Sequence, residues 1–221
     1  MALNKILGYI HRYTNVIYEN SLILQNIDKI ILGFILLTFA LSVFVSSDMI
    51  GYFAICTAVL TAVRVLFTPK DGFKIETFEL FLLGYFMLVL VSVAGSSLLH
   101  LSLKGFMKTL IYLSFYISVV HHLKYNKKSI LPILITIAGC VTFESLIGVT
   151  QSFAKVDEIS GWQDVSNLNP EEVITRVYGT LKPLNPNLFG GYLVMTIPAL
   201  IGLFGYYLNE KKYVVSFLFG G

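Results

Sequence analysis

Charge is scarce in this chain. Asp, Glu, Lys and Arg make up 13% of its 221 residues, where soluble domains hold about a quarter. Hydrophobic residues make up 56%, and the mean hydropathy is +0.75. The apolar residues gather in long runs, which excludes a soluble core and predicts a polytopic membrane protein. Cysteine is nearly absent as well. Cys56 and Cys140 lie inside apolar runs. They supply neither a disulfide framework nor a metal-ligand spacing, and are expected to pack as small hydrophobes. The histidines are His11, His100, His121 and His122, and none belongs to a HExxH or Cys/His pattern. The His121-His122 pair, beside Lys124, Lys127 and Lys128, is expected in a cationic cytoplasmic loop. The chain has no Walker loop, dinucleotide fingerprint, zinc motif or nucleophile elbow. Neither a metal nor a cofactor is expected. The net charge of +3 does not point to nucleic acid, because in membrane proteins the distribution of Lys and Arg matters more than their sum.

What the chain has is apolar runs of spanning length. The hydrocarbon layer is about 30 Å thick, and a helix rises about 1.5 Å per residue, so a span needs about 20 residues. The expectation is an all-α transmembrane helical bundle with spans at about 29–47, 50–67, 78–97, 105–122, 130–153 and 188–208. A seventh run begins at Tyr213 and reaches only about 14 Å. From this we expect six complete spans, the start of a seventh, and a longer protein of which this is the N-terminal part. The first run is long enough to remain as an anchor rather than be cleaved as a signal peptide.

Lys and Arg set the orientation. Eleven of them (Lys5, Arg12, Lys29, Arg64, Lys70, Lys74, Lys124, Lys127, Lys128, Lys211 and Lys212) fall on one side of the alternating connections. The other side holds Lys104, Lys108, Lys155, Arg176 and Lys182. The positive-inside rule then predicts a cytoplasmic N-terminus. The chain divides into a cytoplasmic segment 1–28, spans 29–153, an external segment 154–187, and 188–221 with the sixth span and the start of the seventh. In the first segment Leu3, Ile6, Leu7, Ile10, Tyr13, Ile17 and Leu24 share one helical face. It reads either as a surface-lying amphipathic helix or as a loosely ordered tail. In the external segment, Asn169-Pro170-Glu171-Glu172 is patterned as a helix start, and Trp162 suits an interfacial anchor.

Polar residues at the mouth of the sixth span are the first candidates for chemistry. Asn185 and Pro186 read structurally as an N-cap and a first helical residue. Gly190-Gly191, one turn in, predicts close approach of another helix. The functional reading adds Arg176 and Lys182. Two cations beside a helix N-terminus suit an anion such as a phosphate, a diphosphate or bicarbonate, with Asn185 and Asn187 as further ligands. The competing reading of both cations is a solvated loop or a lipid headgroup contact. Glu144 is the other outlier, an acid inside the run 133–153, with Gln151 two turns on and nearly on the same face. An acid at this depth marks either a functional polar site or an interhelical hydrogen bond from a protonated side chain. Arg64 and Lys108 lie near span ends, where they can snorkel, and are assigned no chemistry.

Arg176-Val-Tyr, then Asn185-Pro186-Asn187, then Gly191-Tyr192-Leu193 and Pro198 resemble the core motifs of the O-antigen ligase-like membrane family. The resemblance looks closest to its cyanobacterial branch, named for inorganic carbon (bicarbonate) transport, which Gly148-Val-Thr-Gln151 is also similar to. It covers about 140–200. It implies a larger helical bundle that transfers a glycan from an undecaprenyl-diphosphate carrier to an acceptor, without metal, at the outer face of the bacterial inner membrane. It also implies a large external loop with Arg and His, and a Ser-Arg-Gly-Gly-type motif near the seventh span. Neither occurs in these residues. The catalytic base would lie with them in the missing part, and the fragment would be inactive alone. Glu144 matches nothing in the family.

Three readings follow: a lipid-linked glycan ligase or polymerase, a transporter of bicarbonate or a similar anion, and a non-catalytic membrane assembly protein. In the first, Arg176 and Lys182 hold the leaving diphosphate. In the second, Glu144 and Gln151 line a polar path. In the third, the polar motif is only a helix cap.

Overall fold

The computed structural model describes residues 14–68, 76–153, 177–182 and 184–220, together with Ile6 and Ile10. Regular structure among them is entirely helical. Arg176, Lys155, Trp162 and the helix start at Asn169 lie outside the described residues, as do Leu3, Leu7 and Tyr13. Residues 14–20 are helical. They are followed by α1 (Leu22–Gln25), α2 (Ile27–Leu41), α3 (Ser47–Phe67), α4 (Thr77–Ala94), α5 (Leu99–Tyr125), a 3-10 turn (Lys127–Ser129), α6 (Ile130–Phe153), α7 (Pro186–Asn209) and α8 (Tyr213–Gly220).

Among the described residues, five helices are long and apolar enough to cross a membrane: α3, α4, α5, α6 with its leading 3-10 turn, and α7. At 18 to 27 residues they run about 27–40 Å. The chain is therefore a multi-pass membrane protein. The first apolar run behaves differently from the expected 29–47. Its regular part, α2, has 15 residues, about 22 Å. The Ser42 hydroxyl donates to the Phe39 carbonyl at 2.7 Å, a local bond that competes with the helical ladder. A turn over 42–44 follows.

The chain forms two compact units, one of residues 1–35 and 51–129, the other of 36–50 and 130–221. In the first unit, α3 buries Gly51, Ala54, Thr57, Thr61 and Arg64, a stripe at three- and four-residue spacing. The Thr57 and Thr61 hydroxyls donate to carbonyls one turn back, at 2.9 Å each, and so enter the buried face without an unpaired proton. A capping box between Glu76 and Glu79 starts α4. Phe86 and Phe106 stack between α4 and α5 at 4.9 Å. Only 6% of the apolar window of α4, and 6% of that of α5, is buried, against 28% for α3. Most of their apolar surface is exposed.

Three expectations about this unit change. Arg64 does not snorkel: it is 2% exposed and ion-paired with Asp28 through Nε. His121 and His122 are not loop residues. They sit in the last two turns of α5, 3% and 1% exposed. Arg64 Nη1 lies 3.2 Å from His121 Nε2, and its guanidinium stands 4.9 Å from the centre of the Tyr125 ring. His122 Nε2 meets the Ser129 hydroxyl at 3.0 Å. Burying a cation here requires these partners, since an unpaired buried charge is expensive. Cys56 is exposed on α3 rather than packed.

In the second unit α7 packs against α6 and α8. Lys211, in the left-handed region at φ 57°, turns the chain between α7 and α8. The Ser216 hydroxyl then donates to the Phe204 carbonyl at 2.8 Å, tying the pair together. Val43, Leu181 and Phe189 form a buried apolar cluster, with Cys140, Val177, Tyr192 and Leu193 packed around it.

Candidate functional site

A buried polar site in the second unit is built from one stripe of α6. Glu144, Gly148 and Gln151 are spaced four and three apart, so they face one way along the helix. The segment 177–182 lies along that stripe as a strap. Gln151 reads its backbone from both sides. Its carbonyl oxygen accepts from Tyr178 N at 3.1 Å and Gly179 N at 2.9 Å, and its amide nitrogen donates to the Gly179 carbonyl at 3.0 Å. Glu144, with 0% exposure, accepts from Thr180 N at 2.9 Å. Its other oxygen meets the Thr180 hydroxyl. That hydroxyl also contacts the Val43 carbonyl at 2.7 Å. A strap of irregular backbone has no helical ladder to satisfy it, and side chains of α6 take over that task.

Two glycines make the fit close. Gly179 has φ +62°, and a Cβ there would meet Glu144 Oε2 and, at 2.8 Å, Phe189 Cδ2. A Cβ on Gly148 would stand 2.9 Å from Phe189 Cζ and 3.2 Å from Val177 Cγ1. Phe189, in the first turns of α7, therefore closes over both. The expectation for Gly190-Gly191 is not met among the described residues, because a Cβ at either position would meet none of them within 4 Å. The close approach is made by Gly148 and Gly179 instead, and by an aromatic side chain rather than a helix backbone.

Beyond the clamp the strap feeds into α7. Leu181 is buried and Lys182 is exposed. Asn185 is the N-cap of α7: its side-chain oxygen accepts from Asn187 N at 2.8 Å, and Pro186 takes the first position. Asn187 itself is exposed. Of the six residues singled out from the sequence, Glu144 and Gln151 thus converge on the strap. Lys182, Asn185 and Asn187 follow at its junction with α7, and Arg176 falls outside the described residues. Thr180, Gly179 and the Val43 carbonyl were not anticipated, and Gly148 entered only as part of the Gly148-Val-Thr-Gln151 resemblance. The available signal was the Glu144–Gly148–Gln151 spacing, a small residue between two polar ones on a single face.

No cation among the described residues forms an ion pair with Glu144. Among the described residues no group of three or more His, Cys, Asp or Glu gathers to hold a metal ion. No family model, curated protein or solved structure matches the chain.

Proposed function

We propose that this multi-pass membrane protein is O-antigen ligase-like and serves glycan transfer from an undecaprenyl-diphosphate carrier at the outer face of a bacterial inner membrane. In this reading the first apolar run completes six spans, with α8 the start of a seventh. The N-terminus is cytoplasmic by the Lys and Arg distribution, and 154–187 lie outside. The acceptor hydroxyl attacks the anomeric carbon with inversion, and the lipid diphosphate leaves. Negative charge grows on that diphosphate, and Arg176 and Lys182 stabilise it where it develops. Asn187 and the head of α7 add hydrogen-bond donors beside Lys182.

The observation that carries the proposal is the clamp on Tyr178, Gly179 and Thr180. It fixes the backbone two residues from Lys182 on one side and from Arg176 on the other, which is what a preorganised anion site needs. Anion transport would ask Glu144 and Gln151 to line a polar path. Both are spent on the strap, so glycan transfer is the better supported reading.

The test is reconstitution with an undecaprenyl-diphosphate-linked glycan, comparing the wild type with Arg176→Ala and Lys182→Ala for release of the lipid diphosphate. Release that collapses in both folded variants supports the proposal. Bicarbonate uptake into proteoliposomes, with no release from any donor, overturns it.

A further inference from the structure

The hydrogen-bond geometry around Thr180 has a proton to account for. A threonine hydroxyl carries one hydrogen. Thr180 Oγ1 touches two oxygens, the Val43 carbonyl at 2.7 Å and Glu144 Oε1. The carbonyl can only accept. If the hydroxyl hydrogen goes to Glu144, Val43 and Thr180 are left as two facing oxygens with nothing between them. If it goes to Val43, the hydrogen for the Glu144 contact must come from the carboxyl. Only the second arrangement satisfies every oxygen: Glu144 O–H to Thr180 Oγ1, Thr180 O–H to the Val43 carbonyl, and Thr180 N–H to Glu144 Oε2.

The surroundings agree. Glu144 has 0% exposure in a helix long and apolar enough to cross a membrane, and no ion pair among the described residues. Titratable groups near it among the described residues include Cys140, one turn before it on α6, and Tyr192 of α7, neither of them a cation. A carboxylate there would face a hydroxyl already committed to Val43, with charge uncompensated.

We propose that Glu144 is held as the uncharged acid and acts, with Gln151, as a positioning residue that latches the strap onto α6. The latch joins three parts of the second unit, the end of the first apolar run at Val43, α6, and the strap leading into α7. Without the Glu144 proton its donor oxygen would be a second acceptor, and the relay through Thr180 to the Val43 carbonyl would be broken. The value of the latch for placing Lys182 rests on the proposed function. The proton count does not.

Two measurements on the purified protein test the latch without any substrate. Infrared difference spectroscopy of wild type against Glu144→Gln should show a protonated carboxylic acid C=O band in the wild type that the variant lacks. Absence of that band overturns the proposal. Hydrogen exchange over 177–182 reads the positioning. Glu144→Ala removes the acceptor of Thr180 N–H and should speed exchange there about tenfold, the equivalent of one net hydrogen bond. Gln151→Ala should do the same at Tyr178 and Gly179. Glu144→Gln restores a donor and an acceptor in one plane and should exchange like the wild type. Unchanged exchange in both alanine variants, or exchange in folded Glu144→Gln as fast as in Glu144→Ala, overturns the positioning role.

Discussion

Gly179→Ala is the sharpest perturbation of the clamp. Its φ of +62° lies where an L side chain is disfavoured, at about 1–2 kcal/mol. The added carbon also occupies space held by Glu144 Oε2 and Phe189 Cδ2, the latter at 2.8 Å. Moving the carboxyl leaves Thr180 N–H unpaired, which costs about 1–3 kcal/mol. The stiffer unfolded chain returns about 0.4–1 kcal/mol. The net loss is roughly 3 kcal/mol, and at about 2–4 °C per kcal/mol for a chain of this size the melting midpoint falls by about 6–12 °C. Gly190→Ala is the control. It sits in α7 with nothing within 4 Å of the new carbon, so it should gain about 0.5–1 kcal/mol from helix propensity. Thermal melts followed by far-ultraviolet circular dichroism compare the two directly, since the described chain is helical. The variants should move in opposite directions. A Gly179→Ala protein that melts at or above the wild type refutes the close-fit argument.

Other outcomes follow from the same contacts. Gly148→Ala should displace Phe189 and Val177 and lower stability by about 1–3 kcal/mol in the same melts, as overpacking does. Arg64→Ala should cost about 3 kcal/mol or more, because it strips the partner from Asp28 and empties a buried site beside His121. Asp28→Ala should be milder, since Asp28 is 39% exposed and water can take over part of its role. Asn185→Ala should cost about 1 kcal/mol, and Asn185→Asp, an equally good cap, close to nothing. Equal melts for the two Asn185 variants would remove the cap from the account of α7.

What could be read in advance depended on the distance between partners. The Asn185-Pro186 cap is a contact within three residues, and its pattern stands in the sequence as it stands in the fold. Glu144 and Gln151 could be put on one face because helical periodicity is local. Their partners could not be named. Thr180 lies 36 residues from Glu144 and 137 from Val43, and nothing in a single sequence ties such positions together. The same limit misplaced Arg64. A cation near the end of an apolar run has the pattern of a snorkelling side chain, and Asp28, which draws it inward, is 36 residues away. Gly190-Gly191 shows a further limit. A glycine pair announces room for a neighbour, but whether a neighbour comes depends on the packing of other helices. Helix lengths were legible to within a few residues, except for α5, which begins before and ends beyond the expected 105–122, and for the first run, where a serine hydroxyl at Ser42 breaks the ladder early.

The 137-residue separation between Val43 and Thr180 sets an order of events during synthesis. At about 5–20 residues per second the ribosome needs roughly 7–27 s to travel between them. Throughout that interval the Val43 carbonyl exists in the membrane without the hydroxyl it will meet. The stretch made meanwhile includes all of 51–129, which folds into the other compact unit. The clamp therefore cannot close before all of 51–129 has been made, and its closure reports that the start of the second unit has waited in place for the strap. A strap that fails to dock on α6 and Val43 leaves Thr180, Glu144 and Gln151 unsatisfied together, which is the kind of polar defect that membrane quality control can read.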